Sequence, residues 1–226
     1  MKKVFSLAIC FMTLLFAGCG PSSSKVYTAS GNIDNHDYVD LGLSVKWATM
    51  NVGATKPEEY GNYFAWGETT TKTTYNWSTY KHCKGRSTFL TKYNTSILHG
   101  IDDYKKKLEL IDDAAHANWG GCWRMPTDAE WTELRKNCTW KWTTKQGVKG
   151  YKVTSKQNGN SIFLPAAGGY GDDSRGDVGY CGCYWSTLAG TGSLVGSAWF
   201  VCFESSYVER NSIRRDWGLS VRPVCP

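Results

Sequence analysis

Apolar and polar residues alternate with a period of two from Tyr38 onward. Val39, Leu41, Leu43, Val45 and Trp47 fall on one side, which predicts a half-buried strand. A second short strand is expected over 62–66. Residues 67–100, rich in Thr, Tyr and Asn with weak periodicity, read as a long surface excursion. The period then lengthens: Tyr104, Leu108, Ile111 and Ala115 make one stripe opposed by Lys105, Lys106, Lys107 and Glu109, so the pattern predicts a helix over 102–117, ended by Gly120-Gly121. A second helix opens at Thr127. Pro126 disfavours the helical region for Met125, Thr127 can cap, and Glu130 three residues later can reach back to the amide of the cap. Asp128 places negative charge in the first turn, where the helix dipole favours it. Trp131 and Leu134 share a face and should meet the core.

After Cys138 the chain reads as β. Trp140, Trp142 and residues 148–154 alternate aromatic and polar positions, and Asn158-Gly159 is a strong hairpin turn feeding Ser161-Ile162-Phe163-Leu164. Residues 166–182 are Gly-rich and are expected to form an irregular loop. Strands over 184–187, 198–203, 208–213 and 219–224 complete a meander. Two nearly identical pentapeptides, Gly42-Leu43-Ser44-Val45-Lys46 and Gly218-Leu219-Ser220-Val221-Arg222, lie near the two ends. They predict strands that pair with each other and bring the termini together. The fold class is α+β, with two helices mid-chain and strands at both ends.

Length suits one domain plus a targeting segment. Met1-Lys2-Lys3 precedes an apolar run from Val4 to Ala17, a secretory signal too short for a comfortable membrane span. Phe16-Ala17-Gly18-Cys19 resembles the bacterial lipoprotein box, which implies acylation of Cys19 once 1–18 are removed. Residues 19–37 are polar and Ser/Gly-rich, a flexible tether. The expected place is the bacterial cell envelope, lipid-anchored to the outer membrane on its periplasmic or surface face. Losing Lys2 and Lys3 lowers the formal charge from +6 to +4. The remaining charge is dispersed. Its dense spots, Lys105 to Lys107 and Arg214-Arg215, are expected to be solvated faces, so no nucleic-acid partner is expected.

Seven cysteines follow the anchor: Cys83, Cys122, Cys138, Cys181, Cys183, Cys202 and Cys225. An exported chain permits disulfides, an odd number leaves at least one thiol unpaired, and the connectivity stays open. Cys181 and Cys183 have no second pair at zinc-site spacing, so no metal site and no cofactor is expected. His36, His82, His99 and His116 are spread without a partner pattern and are expected at the surface or at helix ends.

Many short blocks occur in a set order. They include Tyr38-Val39-Asp40-Leu41-Gly42-Leu43, Trp47-Ala48, Asn51-Val52-Gly53 and Gly61-Asn62-Tyr63-Phe64-Ala65-Trp66-Gly67-Glu68. Then come Trp123-Arg124-Met125-Pro126-Thr127, Leu164-Pro165-Ala166-Ala167-Gly168, Tyr184-Trp185-Ser186-Thr187 and Gly218-Leu219-Ser220-Val221-Arg222-Pro223-Val224. Over residues 38–225 this series resembles the Fibrobacter succinogenes major paralogous domain (FISUMP). Residues Arg124 to Trp131 also resemble the R-L-P-T-E-A-E-W hallmark of formylglycine-generating enzymes. The resemblance implies a C-type-lectin-like fold over 38–226: a twisted antiparallel sheet with two helices, paired terminal strands and a long loop region that presents ligand contacts.

The enzymes of that kind resemble each other in a pair of cysteines about five positions apart that act with copper; that pair is missing. No H-E-x-x-H, G-x-S-x-G or phosphate-cradling loop appears, so no catalytic residues are assigned. Trp47, Trp131 and Trp199 are expected in the core. The ligand-binding candidates are Trp66, Trp77, Tyr170 and Trp185, as rings that could stack on sugar or protein, and Asp172, Asp173 and Asp177 in the Gly-rich loop. The calcium-site triplets of the lectins are absent, so these acids are expected to be solvated. The expectation is a non-catalytic domain that binds a glycan or an envelope protein in adhesion or surface assembly. The alternatives are a structural component without a soluble ligand, or a divergent oxidase of the formylglycine-generating type.

Overall fold

The computed structural model describes residues 28–226. The signal segment, Cys19 and the first part of the tether therefore lie outside the described residues. Among the described residues no helix is long and apolar enough to cross a membrane.

The chain opens with strands β1 (Gly31–Ile33), β2 (His36–Val39), β3 (Lys46–Ala48) and β4 (Tyr63–Ala65). Helices α1 (Ala114–Trp119) and α2 (Asp128–Asn137) follow, then a three-stranded sheet of β5 (Cys138–Lys145), β6 (Val148–Ser155) and β7 (Ser161–Pro165). The last part holds β8 (Gly169–Gly171), β9 (Ser174–Gly176), β10 (Gly182–Ala189), β11 (Ser197–Glu204), β12 (Tyr207–Arg214), β13 (Gly218–Ser220) and β14 (Val224–Cys225). One sheet runs β12-β11-β10-β13-β8-β9 with β4 also on β13, and another runs β1-β2-β3-β14. The architecture is α+β and dominated by sheet.

The expected single strand over 38–47 is broken in two. The amide of Gly42 (φ 67°) donates to the Asp40 carboxylate at 2.7 Å, and the Ser44 amide and hydroxyl both donate to Glu133 of α2. Local side-chain acceptors thus take the amides that a strand would use, although Leu41, Val45 and Trp47 still point inward and are buried. The two pentapeptides consequently do not pair with each other. β3 pairs with β14 (Trp47 opposite Val224), while β13 pairs with β4 and lies parallel to β10. The ends of the domain do close together, through different residues, and the Cys122–Cys225 disulfide staples that closure. The hairpin of β1 and β2 also places regular structure at Gly31–Val39, overlapping the stretch expected to be tether.

The helix expected over 102–117 is mostly absent. Asp102 and Asp103 turn their carboxylates onto the amides of Tyr104, Tyr93 and Asn94. Lys106 to Leu108 then run as an edge along the end of β10, with Leu108 N donating to Thr187 O at 2.9 Å and Ala189 N to Lys106 O at 2.8 Å. A 3-10 turn spans Leu110–Asp112, and α-helix starts only at Ala114, where Asp113 accepts from the amides of Ala115 and His116. Tyr104 and Ile111, half of the expected stripe, are exposed.

The Gly-rich stretch is more regular than expected: β8 and β9 form a hairpin, and Gly168 (φ 64°) closes it where an added Cβ would lie 2.0 Å from the Gly176 carbonyl. The main core gathers Trp47, Trp131, Leu134, Val153, Leu164, Tyr184 and Phe203 from α2 and all three sheets. Trp199, expected there, is instead half-buried beneath the Arg210 guanidinium, 3.2 Å from its ring centroid.

Candidate functional site

The junction from Arg124 to Trp131 forms as its residues dictate. Thr127 Oγ1 accepts from Glu130 N at 3.2 Å, and the Glu130 carboxylate accepts from Thr127 N at 2.7 Å, a complete capping box. Arg124 adds a two-pronged pair to Glu130 at 2.6 and 2.9 Å. Burial would raise the Glu130 carboxyl, but the Arg124 and Thr127 hydrogen bonds outweigh it and hold it below its ordinary range. Arg124, Thr127 and Glu130 thus bond to one another and to the local backbone, which makes the junction an architectural element.

Three indoles lace this scaffold together. Trp131 Nε1 donates to Trp185 O, Trp185 Nε1 to Phe64 O, and Trp66 Nε1 to Ser186 O, at 3.2, 2.7 and 2.8 Å. Trp66 and Trp185 are therefore fully buried, and neither ring is presented to a ligand as the sequence reading expected. Burial of an indole N–H favours a hydrogen-bond partner, and for these three rings backbone carbonyls supply it.

The excursion over 67–112 is organised by charge. Asp112, 3% exposed, accepts from Lys81 at 3.1 Å, from Lys92 and from the Tyr93 hydroxyl at 2.8 Å. Burial alone would raise its carboxyl, but these hydrogen bonds prevail and hold it at about 2. His82 is packed against the same centre, 3.7 Å from Asp112, with Nε2 against the Gly67 carbonyl at 2.8 Å. It is a buried residue, contrary to the surface place expected for it. Burial lowers its pKa.

Two of the open depressions among the described residues hold residues singled out from the sequence. The first, about 270 Å³, is lined by Trp77, Ser87, Thr88, His99, Ser193, Val195, Gly196, Ser197 and Arg214. The Trp77 indole is braced edge-on by Tyr80 at 5.5 Å and rests against Gly196, and Arg214 lies 5.8 Å from its centroid while pairing with Asp216. The second, about 220 Å³, lies under the β8–β9 hairpin and is lined by Gly169, Gly171, Asp172, Ser174, Gly176, Asp177, Cys181, Cys183, Ile213, Trp217 and Leu219.

The predicted residues divide between these places. Trp77 stands in the first depression; Asp172 and Asp177 stand in the second; Asp173 is exposed at the hairpin tip and lines neither. Tyr170 packs inward between Tyr63 and Tyr75, at 5.1 and 5.3 Å. Cys19 lies outside the described residues. Among the described residues no three His, Cys, Asp or Glu side chains converge on a metal position. Trp217 escaped the sequence reading, and His99 and Arg214 were expected only as surface residues, because nothing local marks a residue brought to a rim by a strand end or a turn.

The second depression meets a thiol cluster. Cys183 of β10 stands opposite Cys202 of β11, their sulfurs 3.8 Å apart, and Cys181 lies 3.8 Å from Cys183 and also bonds to Cys202. Gly182 between them packs against the Phe203 ring, where an added Cβ would lie 2.1 Å away, so the two flanking thiols are turned to the other face. Hydrogen bonds from Cys181 and Cys183, opposed by burial, bring the Cys202 thiol far below its ordinary pKa, while Cys183 is raised. Elsewhere Cys138 is buried and pushed up to about 11 by its apolar surroundings. No protein-family model, no curated protein and no solved structure matches the chain.

Proposed function

We propose that this chain is a non-catalytic binding domain of the cell envelope, held by lipid on Cys19, whose ligand is a glycan or a protein. The C-type-lectin-like fold and kinship with the FISUMP family belong to the same proposal, supported by the ordered sequence blocks and by closure of the domain through β3 and β14.

One observation carries the reading. Of the four aromatic residues expected to meet a ligand, Trp77 stands in an open cleft with hydroxyl groups of Ser87, Thr88, Ser193 and Ser197 and the Arg214 guanidinium along its walls. A flat apolar ring rimmed by hydroxyl and guanidinium donors suits a sugar ring, which offers an apolar C–H face and a girdle of hydroxyls. The brace of Tyr80 and Gly196 holds the indole in place before binding, which limits the ordering cost.

The test is a panel of glycans and envelope proteins probed with the purified protein and with Trp77→Ala. A ligand whose affinity falls at least about tenfold, or ~1.4 kcal/mol, in the variant supports the reading. A panel that gives no ligand at all supports the structural alternative, and a ligand bound equally by both proteins overturns the Trp77 cleft as its site.

A further inference from the structure

We infer that Cys183, Cys202 and Cys181 form a thiol–disulfide exchange site, and that the groove under the β8–β9 hairpin admits small cationic disulfides to it. This goes beyond ligand binding at the Trp77 cleft and uses a different depression.

Position comes first. Residues directly opposed on antiparallel strands have Cα atoms about 4.5–5.5 Å apart, within the span of about 4.4–6.8 Å that a disulfide bridges. Cys183 and Cys202 are such a pair, with sulfurs already in contact at 3.8 Å. Closure needs side-chain rotation and no strand movement. Access follows from the groove, whose lining includes Cys181 and Cys183. Reactivity follows from the third thiol: S–H donors from Cys181 and Cys183 favour a thiolate on Cys202.

The exchange balances as follows. Cys183 loses its proton to water. The Cys183 thiolate attacks one sulfur of an incoming disulfide, forming a mixed disulfide and releasing the first thiolate, which is protonated from water. The Cys202 thiolate then attacks the Cys183 sulfur, and the Cys183–Cys202 bond forms as the second small thiolate leaves and is protonated from water. Two protein thiols and one external disulfide become one protein disulfide and two small thiols. Cys181 acts as a positioning residue through its hydrogen bond.

Substrate preference follows from charge. Asp172 and Asp177 line the groove, so a dication such as cystamine should concentrate there and anionic glutathione disulfide should be repelled.

The experiment treats the purified protein with each disulfide and maps products by peptide mass spectrometry. Cystamine should yield the Cys183–Cys202 disulfide roughly fivefold or more faster than glutathione disulfide at low ionic strength. Cys202→Ser should trap one cysteamine on Cys183, and Cys181→Ser should slow closure yet give the same product. Asp172→Asn with Asp177→Asn should erase the preference for cystamine without preventing closure. A circular-dichroism spectrum matching wild type qualifies each variant, and if Cys202→Ser fails to fold, Cys181→Ser and the carboxylate pair still decide. Bonds that map to Cys83 or Cys138, or a Cys183 that reacts no faster than buried Cys138, overturn the proposal. Closure with equal rates for both disulfides overturns the assignment of the groove.

Discussion

The closure of the domain and the excursion over 67–112 both bury polar groups, yet they do so in opposite ways. At the closure, backbone hydrogen bonds and a covalent staple do most of the holding. β3 pairs with β14, Arg124 N and Val224 N exchange bonds with each other's carbonyls, and Arg222, fully buried, donates to Asn51 and to the carbonyls of Ala48, Thr49 and Phe163. In the excursion, regular secondary structure is nearly absent, and Asp112 with Lys81 and Lys92 supplies the focus. Bonds to backbone carbonyls are indifferent to pH over a wide range, whereas a carboxylate focus fails when protonated. One fold thus contains a pH-insensitive pole beside a pH-sensitive one.

The largest effect expected is at the staple. Cys122→Ser with Cys225→Ser opens a closure separated by 103 residues and should cost about 2–5 kcal/mol in urea unfolding. A loss below about 1 kcal/mol would mean that the strands close the domain unaided. Next, Arg222→Met leaves buried acceptors unpaired and should cost about 3 kcal/mol at any pH from 5 to 8. A loss that varies with pH there would remove the contrast between the poles.

Asp112→Asn should cost about 2 kcal/mol at neutral pH. The folded carboxyl titrates at about 2 against 3.8 for the ordinary group, so its contribution is complete above about pH 4 and disappears as pH falls through about 2. Wild type and variant should therefore converge in stability in that acid window. A constant difference between them down to pH 2 would break the comparison from the other side. The smallest effect is expected at the cap: Thr127→Ala should cost about 1 kcal/mol, read from thermal or urea unfolding, with Arg124–Glu130 left in place.

The helix at Thr127 was legible because its determinants sit within four residues of one another. The hairpin at Asn158-Gly159 was legible for the same reason. The stripe from Tyr104 to Ala115 misled because Asp103, just before it, is drawn onto the amides of Tyr93 and Asn94, and because its middle pairs with the end of β10. Trp66 and Trp185 misled because they lie at or near the ends of the expected strands, while the sheet buries those ends completely. Cys181 and Cys183 could be singled out, but their partner Cys202 depends on the register of β10 on β11.

By itself the sequence determined the α+β class, the capped helix, the order of most strands and the inward pattern of alternating residues, since each follows from local backbone preference or from period. Tertiary structure alone decided which strands close the domain, which rings are buried, which rim Trp77 joins and which thiols meet. Those outcomes depend on contacts between residues tens to a hundred positions apart, where the register of one strand on another selects the neighbours and no local signal records the choice.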